Sequence, residues 1–209
     1  MTGTSVDRRG HWDRVYATRS ADAVSWYRPH LDVSLELLEL GGLATSSRVI
    51  DVGGGASTLV DDLLDRGVRD ITVLDVADAA LAAARGRLGS RGAGVKWLAV
   101  DILDAALPEG GFDFWHDRAV VHFLTDPIDA ARYADQARRA TCHGGHAVIS
   151  GFAPSGPEKC SGLPVARRSS LDFAHLLGRG WTLLADRNEQ HRTPAGIEQA
   201  FACALLRRD

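Results

Sequence analysis

The sequence predicts an α/β fold: a doubly wound, seven-stranded, mostly parallel sheet with helices on both faces and an antiparallel last strand. Three observations predict it. From Arg48 onward short apolar segments alternate with helical patterns, the arrangement that buries a parallel sheet on both faces. The first apolar segment runs straight into Gly53-Gly54-Gly55, a bend without side chains, and then into a helix. The last two segments are joined by a turn at Thr193-Pro194-Ala195-Gly196.

Taken in order, helical spacing is expected around 12–19 and around 31–40, the second with Leu31, Leu35 and Leu38 on one face. Between them lies the aromatic cluster Val24-Ser25-Trp26-Tyr27-Arg28-Pro29-His30, closed by its proline. Strands are expected at 48–52, 70–74, 95–100, 112–116, 145–151, 181–187 and 199–207. Helices are expected at 57–66, 77–88, 126–140 and 169–177. Asp126-Pro127 supplies an N-cap and an N1 proline to the third of these, and Gly144-Gly145 ends its approach to the next strand. The alanine run 79–84 is a strong helix former. A chain of 209 residues is long enough for one well-buried core, so 1–209 is expected to form one domain, with 1–42 as a helical and aromatic cap and 48–209 as the core.

Composition narrows the function classes. With 24 basic and 27 acidic side chains the formal net charge is −3, which leaves no basic field to hold a phosphate backbone; no nucleic-acid partner is expected. No run of roughly 18 apolar residues occurs, so no membrane span is expected. The polar opening Met1-Thr2-Gly3-Thr4-Ser5-Val6-Asp7 lacks a signal-peptide core, and the expected location is the cytoplasm. Cys142, Cys160 and Cys203 are odd in number, widely spaced and without a C-x-x-C pair, which argues against a disulfide framework or a zinc ribbon. No H-E-x-x-H or clustered Asp/Asn pair is present, and no metal is expected. The four Arg-Arg pairs, Arg8-Arg9 among them, are scattered and read as solvated surface.

The glycine turn carries the chemistry. In Asp51-Val52-Gly53-Gly54-Gly55-Ala56-Ser57-Thr58 the backbone is free to approach a ligand at the carboxyl edge of the sheet, with Ser57 or Thr58 capping the helix that follows. A dinucleotide fingerprint wants glycine where Thr58 stands, and a P-loop wants a lysine that is absent. Asp51 at the strand end repels a diphosphate but suits a ligand bearing positive charge, such as the sulfonium and α-ammonium of S-adenosylmethionine.

Asp51-Val52-Gly53-Gly54-Gly55 resembles motif I, D-x-G-x-G, of the class I S-adenosylmethionine-dependent methyltransferases, whose fold is Rossmann-like. The resemblance runs over about residues 48 to 151. It implies that Asp75, in Val73-Leu74-Asp75-Val76 and 24 positions past Asp51, grips the ribose hydroxyls, close to the roughly 20-residue offset of such carboxylates. It implies that Asp101 in Val100-Asp101-Ile102 accepts from the adenine amino group while Ile102 packs on the ring. It places Trp115-His116-Asp117-Arg118 where the methionine end of the cofactor meets the acceptor. A narrower likeness adds His11-Trp12-Asp13-x-x-Tyr16 and Ser25-Trp26-Tyr27-x-Pro29-His30, similar to the opening of a group of small bacterial single-domain methyltransferases, in which aromatic residues fold over the methionine portion. Segments 157–165 and 191–201 also look like that group. The expected cofactor contacts are therefore Trp12, Tyr16, Trp26, Asp51, Gly53, Gly54, Gly55, Ser57, Thr58, Asp75, Val76, Asp101, Ile102, Asp117 and Arg118.

His122, His116 and Asp117 are the candidates for acid–base work. Strand alternation puts His116 with Phe114 on one face and Asp117 with Trp115 on the other. His122 follows the strand where this fold class presents its acceptor pocket, and an imidazole with pKa near 6.5 is suited to take a proton at neutral pH. His143 and His146 flank a glycine turn and read as solvent-facing; Cys160, in a Gly/Pro-rich loop, reads as a passive small side chain. His191 and Gln199 either close the pocket or decorate the sheet edge.

The expected reaction is in-line methyl transfer from S-adenosylmethionine to a small-molecule thiol, hydroxyl or amine lying beneath loop 153–168 and the N-terminal aromatic segment. The Asp/Asn-Pro-Pro-Tyr run of methyltransferases acting on amide or adenine nitrogen is absent, as is the Pro-Cys of the cytosine C5 type. The alternatives are a protein-lysine methyltransferase, because relatives with a similar opening act on proteins, and a cofactor-binding module without turnover. The likeness fixes neither the acceptor nor the oligomeric state.

Overall fold

The computed structural model describes residues 7–18, 20 and 22–209. The polar opening through Val6, and Arg19 at the expected end of the first helix, lie outside the described residues.

Two helices precede the sheet: α1 (Arg8–Thr18) and α2 (Asp32–Leu40). The core then runs β1 (Arg48–Val52), α3 (Leu59–Asp65), β2 (Asp70–Asp75), α4 (Asp78–Leu88), β3 (Lys96–Ala99), β4 (Phe112–Arg118), α5 (Pro127–Ala140) and β5 (Thr141–Phe152). It ends with a short hairpin β6 (Lys159–Cys160) and β7 (Leu163–Pro164), then α6 (Ser170–Leu177), β8 (Trp181–Arg192) and β9 (Glu198–Arg208). The seven-stranded sheet has the order β3-β2-β1-β4-β5-β9-β8, and β9 alone runs against its neighbours. This is the expected doubly wound sheet.

Period-two alternation explains how one strand serves two cores. Ile50, Trp115 and Ile149 face α5 and α6, where Tyr133, Ala137 and Phe173 are fully buried. Val49, Phe114 and Val148 face the other way, against Leu35 and Leu38 of α2, Leu59 and Leu63 of α3 and Leu81 of α4. Asp126 caps α5 as expected, its carboxylate accepting from the backbone N–H of Ile128 at 2.7 Å.

Helix α1 begins at Arg8, four residues before the expected start, and the β6–β7 hairpin was not expected; three other elements differ for a local reason. Gly144-Gly145 lies inside β5, because the pairing with β4 shifts register between Phe112 and Phe114 and the glycines absorb the bulge, Gly144 at φ +74°. Helix α3 starts at Leu59 and not at Ser57, since Ser57 accepts from the N–H of Leu59 at 3.2 Å in a turn that precedes the helix. The β8–β9 hairpin continues to Arg192 and Glu198, five residues past the expected end of β8 at 187, and there it reaches the N-terminal segment.

Candidate functional site

The sheet changes direction between β1 and β4, and the carboxyl ends of these strands and of β2 open onto the crevice where ligands of such sheets bind. Gly53 turns the chain there at φ +70°, a backbone conformation that favours glycine, and a Cβ on it would stand 2.0 Å from Cγ2 of Val120. Two adjoining cavities fill the crevice. The larger, of about 880 Å³ with its open mouth, is lined by Gly53, Asp75, Val76, Asp101, Ile102 and Arg118 on the sheet side, with His122, Phe123, Phe152, Cys160, Gln199 and Phe201 further along. The smaller, of about 460 Å³, is lined by Asp51, Gly54, Ser57, Thr58, Arg28 and His116. Tyr16, Trp26, Val52, Gly53 and Arg118 are common to both walls.

The three strand-end carboxylates lie in this crevice with different surroundings. Asp75 is buried and accepts from the N–H of Ala77 at 2.8 Å; burial pushes its pKa up to about 7, against the hydrogen bonds from Ala77, Gly55 and Val76. Asp51 accepts from Nδ1 of His116 at 2.7 Å through Oδ1, while its Oδ2 is buried without a partner. Asp101 accepts from the N–H of Leu103 at 3.0 Å and from Arg8 at 3.2 Å. Gly55 lines neither cavity; it packs against Asp75, where a Cβ would come 2.4 Å from its Oδ2 and 2.6 Å from Cβ of Ala80. Thr58 donates its hydroxyl to the carbonyl of Arg28 at 2.9 Å and so ties the turn to the N-terminal segment.

That segment covers the crevice. Trp12 meets Trp26 edge-on at 5.6 Å between centroids and Phe123 at 5.1 Å, and Tyr16 meets Trp26 at 6.1 Å. Arg28 is bound to Glu189 at 2.6 Å, Arg118 donates to the carbonyl of Trp26 at 3.1 Å, and Nε2 of His191 meets the carbonyl of Ser25 at 2.6 Å. Glu189 and His191 belong to the unexpected extension of β8. His191 thus acts on the cover from outside, whereas Gln199 lines the larger cavity itself. Arg8 likewise leaves the solvated role expected of the Arg8-Arg9 pair: it lines the larger cavity and also bonds Asp129.

The acid–base candidates separate. Asp117 lines neither cavity; its carboxylate is 0% exposed and is consumed by the hydroxyl of Tyr133 at 2.6 Å and the N–H groups of Val120 at 2.8 Å and Val121 at 3.0 Å. This position anchors the loop after β4, in contrast to the catalytic and cofactor contacts expected of it. Burial raises its pKa to about 6. His116 borders the smaller cavity, but both ring nitrogens are bound, Nδ1 donating to Asp51 and Nε2 accepting from Ser34 at 2.9 Å, so neither is available to a substrate. His122 lines the larger cavity with its Nε2 buried and unpartnered. Its Nδ1 accepts from the N–H of Phe152 at 3.4 Å, and burial holds its pKa at about 3, so it stays a neutral imidazole, against the proton-accepting role expected of it. Cys160, 7% exposed, is a small wall residue whose thiol burial pushes up to about 11. His146 stacks on Phe114 at 5.4 Å and is only partly exposed. Among the described residues no three His, Cys, Asp or Glu side chains cluster as metal ligands, and no helix is long and apolar enough to cross a membrane.

Residues 49–145 match the family model described as a methyltransferase domain. Over those residues the chain resembles an S-adenosylmethionine-dependent methyltransferase domain. The mouse eEF1A lysine and N-terminal methyltransferase is 24% identical over 176 residues, 84% of this chain but 24% of that protein, so the chain spans about a quarter of the length of the curated relatives it matches. Among solved structures, one described for the conversion of a disulfide bond into a thioacetal group during echinomycin biosynthesis superposes with a TM-score of 0.78 at 22% identity, covering 96% of this chain and 92% of that one. The 1,6-didemethyltoxoflavin-N1-methyltransferase of Burkholderia thailandensis, solved with 1,6-didemethyltoxoflavin and S-adenosylhomocysteine, gives 0.68 at 19% identity, over 97% and 84% of the two chains. The residues of the crevice fit such a cofactor: the orphaned Oδ2 of Asp51 faces no protein donor, and the glycines, where any Cβ would strike Val120, Asp51 or Asp75, let the turn pack tightly beside it.

Proposed function

We propose that the domain transfers a methyl group from S-adenosylmethionine to a small-molecule nucleophile. The observation that carries this reading is the far end of the larger cavity, walled by Phe123, Phe152, Phe201 and Cys160 and roofed by Trp12 and Trp26. Its walls are apolar and aromatic, as in small-molecule pockets, and the chain's own N-terminal segment, latched through Arg28 and Glu189, lies over the approach that a docked polypeptide needs.

In this reading Asp75 binds the ribose hydroxyls, Asp101 and Ile102 hold the adenine, and Asp51 with Gly53 and Gly54 receives the methionine end beside Ser57 and Thr58. Tyr16, Trp26 and Arg118, which border both cavities, sit where the two halves of the cofactor join. When bound, S-adenosylmethionine supplies a methyl group already activated by its sulfonium charge, for in-line displacement with S-adenosylhomocysteine as the product. The protein's share is then orientation and dryness: the aromatic walls position the acceptor in line with the methyl carbon and exclude water. Aromatic faces also attract a cation by about 0.5–2 kcal/mol.

The second reading, methylation of a protein lysine, rests on the printed activity of the mouse relative. Incubation with methyl-labelled cofactor, panels of thiols, phenols and amines, and cell-extract proteins separates the two. Label in small molecules supports the first, label in a protein band the second, and label in neither turns the account toward binding without turnover. Asp75→Ala is expected to weaken cofactor binding at least about tenfold in a calorimetric titration, from loss of a charge-assisted hydrogen-bond pair. Unchanged affinity removes Asp75 from the ribose site.

A further inference from the structure

We propose that His122 is a fixed hydrogen-bond donor to the reacting atom of the acceptor, and that the acceptor is a thiol that arrives as its thiolate. This rests on the methyltransferase reading above. The donor role follows from backbone pairing. Strand β4 ends at Arg118, whose partner on β5 is Ser150, so β5 continues past its neighbour and leaves the N–H of Phe152 without a β4 carbonyl. Nδ1 of His122 takes that N–H at 3.4 Å. A nitrogen that accepts carries no proton, and in a neutral imidazole the proton then sits on Nε2. Nε2 is buried without a partner in a residue that is 0% exposed and lines the acceptor end of the cavity. A buried donor left unpaired is costly, and a bound lone pair relieves that cost.

The surroundings choose the kind of lone pair. Phe123 and Phe152 pack on the ring at 4.4 and 4.8 Å between centroids, Arg118 and Arg168 are the charged groups that act on it, and both lower its proton affinity. Glu189, the buried carboxylate nearby, is held by Arg28 and Arg118. Arg118 is paired with Glu189, and Arg168 is bonded to the carbonyls of Val121 and Leu124, so the acceptor end offers one free donor, soft aromatic walls and no free base. An ammonium finds no free carboxylate there, an alcohol needs a base that is missing, and a carboxylate wants more donors than one. A thiol, with an ordinary pKa near 8.5, gives its proton to water and is held as the anion by Nε2–H. Its sulfur lone pair forms the new S–CH3 bond as the methyl–sulfonium bond breaks and that electron pair returns to the cofactor's sulfur; one proton is released to solvent per turnover.

The test compares phenylmethanethiol, benzyl alcohol, benzylamine and phenylacetate as acceptors of labelled methyl, with cofactor binding followed in parallel by calorimetry. The thiol is expected to be labelled at least about tenfold faster than the other three, and His122→Phe to cut its rate about 10- to 100-fold with His122→Gln, which restores an N–H but no basic nitrogen, recovering most of the loss. Preference for another acceptor, or no label in any while the cofactor binds, overturns the acceptor assignment; absence of cofactor binding overturns the reading beneath it. In the wild-type protein, nitrogen NMR of the His122 ring is expected to find the proton on Nε2 from about pH 5 to 9, and a proton on Nδ1 contradicts the donor role.

Discussion

Asp75 joins a carboxylate's charge to a site that resists it. Its pKa of about 7 in the ligand-free protein comes first from burial, so the ionised form, the better acceptor for two hydroxyl donors, prevails only above that pH. On the proposed ribose role the sign is fixed: cofactor affinity is expected to be full above pH 7 and lost as the pH falls through it. Calorimetric titrations at pH 8 and pH 6 are expected to differ roughly tenfold, and Asp75→Asn to bind more weakly with no such slope. Equal affinity at the two pH values contradicts the assignment. Such residues were legible from the sequence because they stand at strand ends: Asp51 beside the glycine turn, Asp75 and Asp101 through the resemblance to the methyltransferase motifs, and all three line the crevice. Asp117 stands at a strand end too, but its neighbour Tyr133, on a helix 16 residues on, consumes it, and no spacing rule foretells that.

The elements that close the site were harder to read. Residues 188–192 of β8 are all polar, and an edge strand whose buried positions, Glu189 and His191, are as polar as its exposed ones looks like a loop in one dimension. Their function in the fold depends on a partner 161 residues away, where Glu189 holds Arg28 and, at 3.5 Å, Arg118. Arg118 is 7% exposed at its side chain and stacks over Phe201 at 4.6 Å, so removing the carboxylate leaves a buried cation uncompensated. Glu189→Ala is therefore expected to cost roughly 3–5 kcal/mol in denaturant unfolding and to speed hydrogen exchange over residues 22–30 ahead of the sheet. Stability within about 0.5 kcal/mol of the wild type, with exchange there unchanged, shows that the latch holds nothing. Helix α1 is fastened differently, by Arg8 to Asp101 and Asp129, and a doubled arginine in a sequence says nothing about which of its two members turns inward.

At the scale of the molecule, alternation of apolar strands and amphipathic helices carries the sheet order, and the order creates the crevice: once β4 lies beside β1 and β2 on its other side, the carboxyl ends must diverge there. The fold and its crevice were legible because each depends on local pattern. For the far end of the larger cavity the sequence pointed to loop 153–168, the N-terminal aromatic segment and His122 but not to their arrangement, because α1, the loop after β4, the β6–β7 hairpin and the β8–β9 extension meet only in three dimensions. The most direct measurement is a crystal structure of the protein with S-adenosylhomocysteine. The ribose is predicted against Asp75, the adenine against Asp101 and Ile102, and the sulfur between the two cavities beside Tyr16 and Trp26. A ligand seated elsewhere, or a crevice that takes a nicotinamide dinucleotide in its stead, contradicts the account.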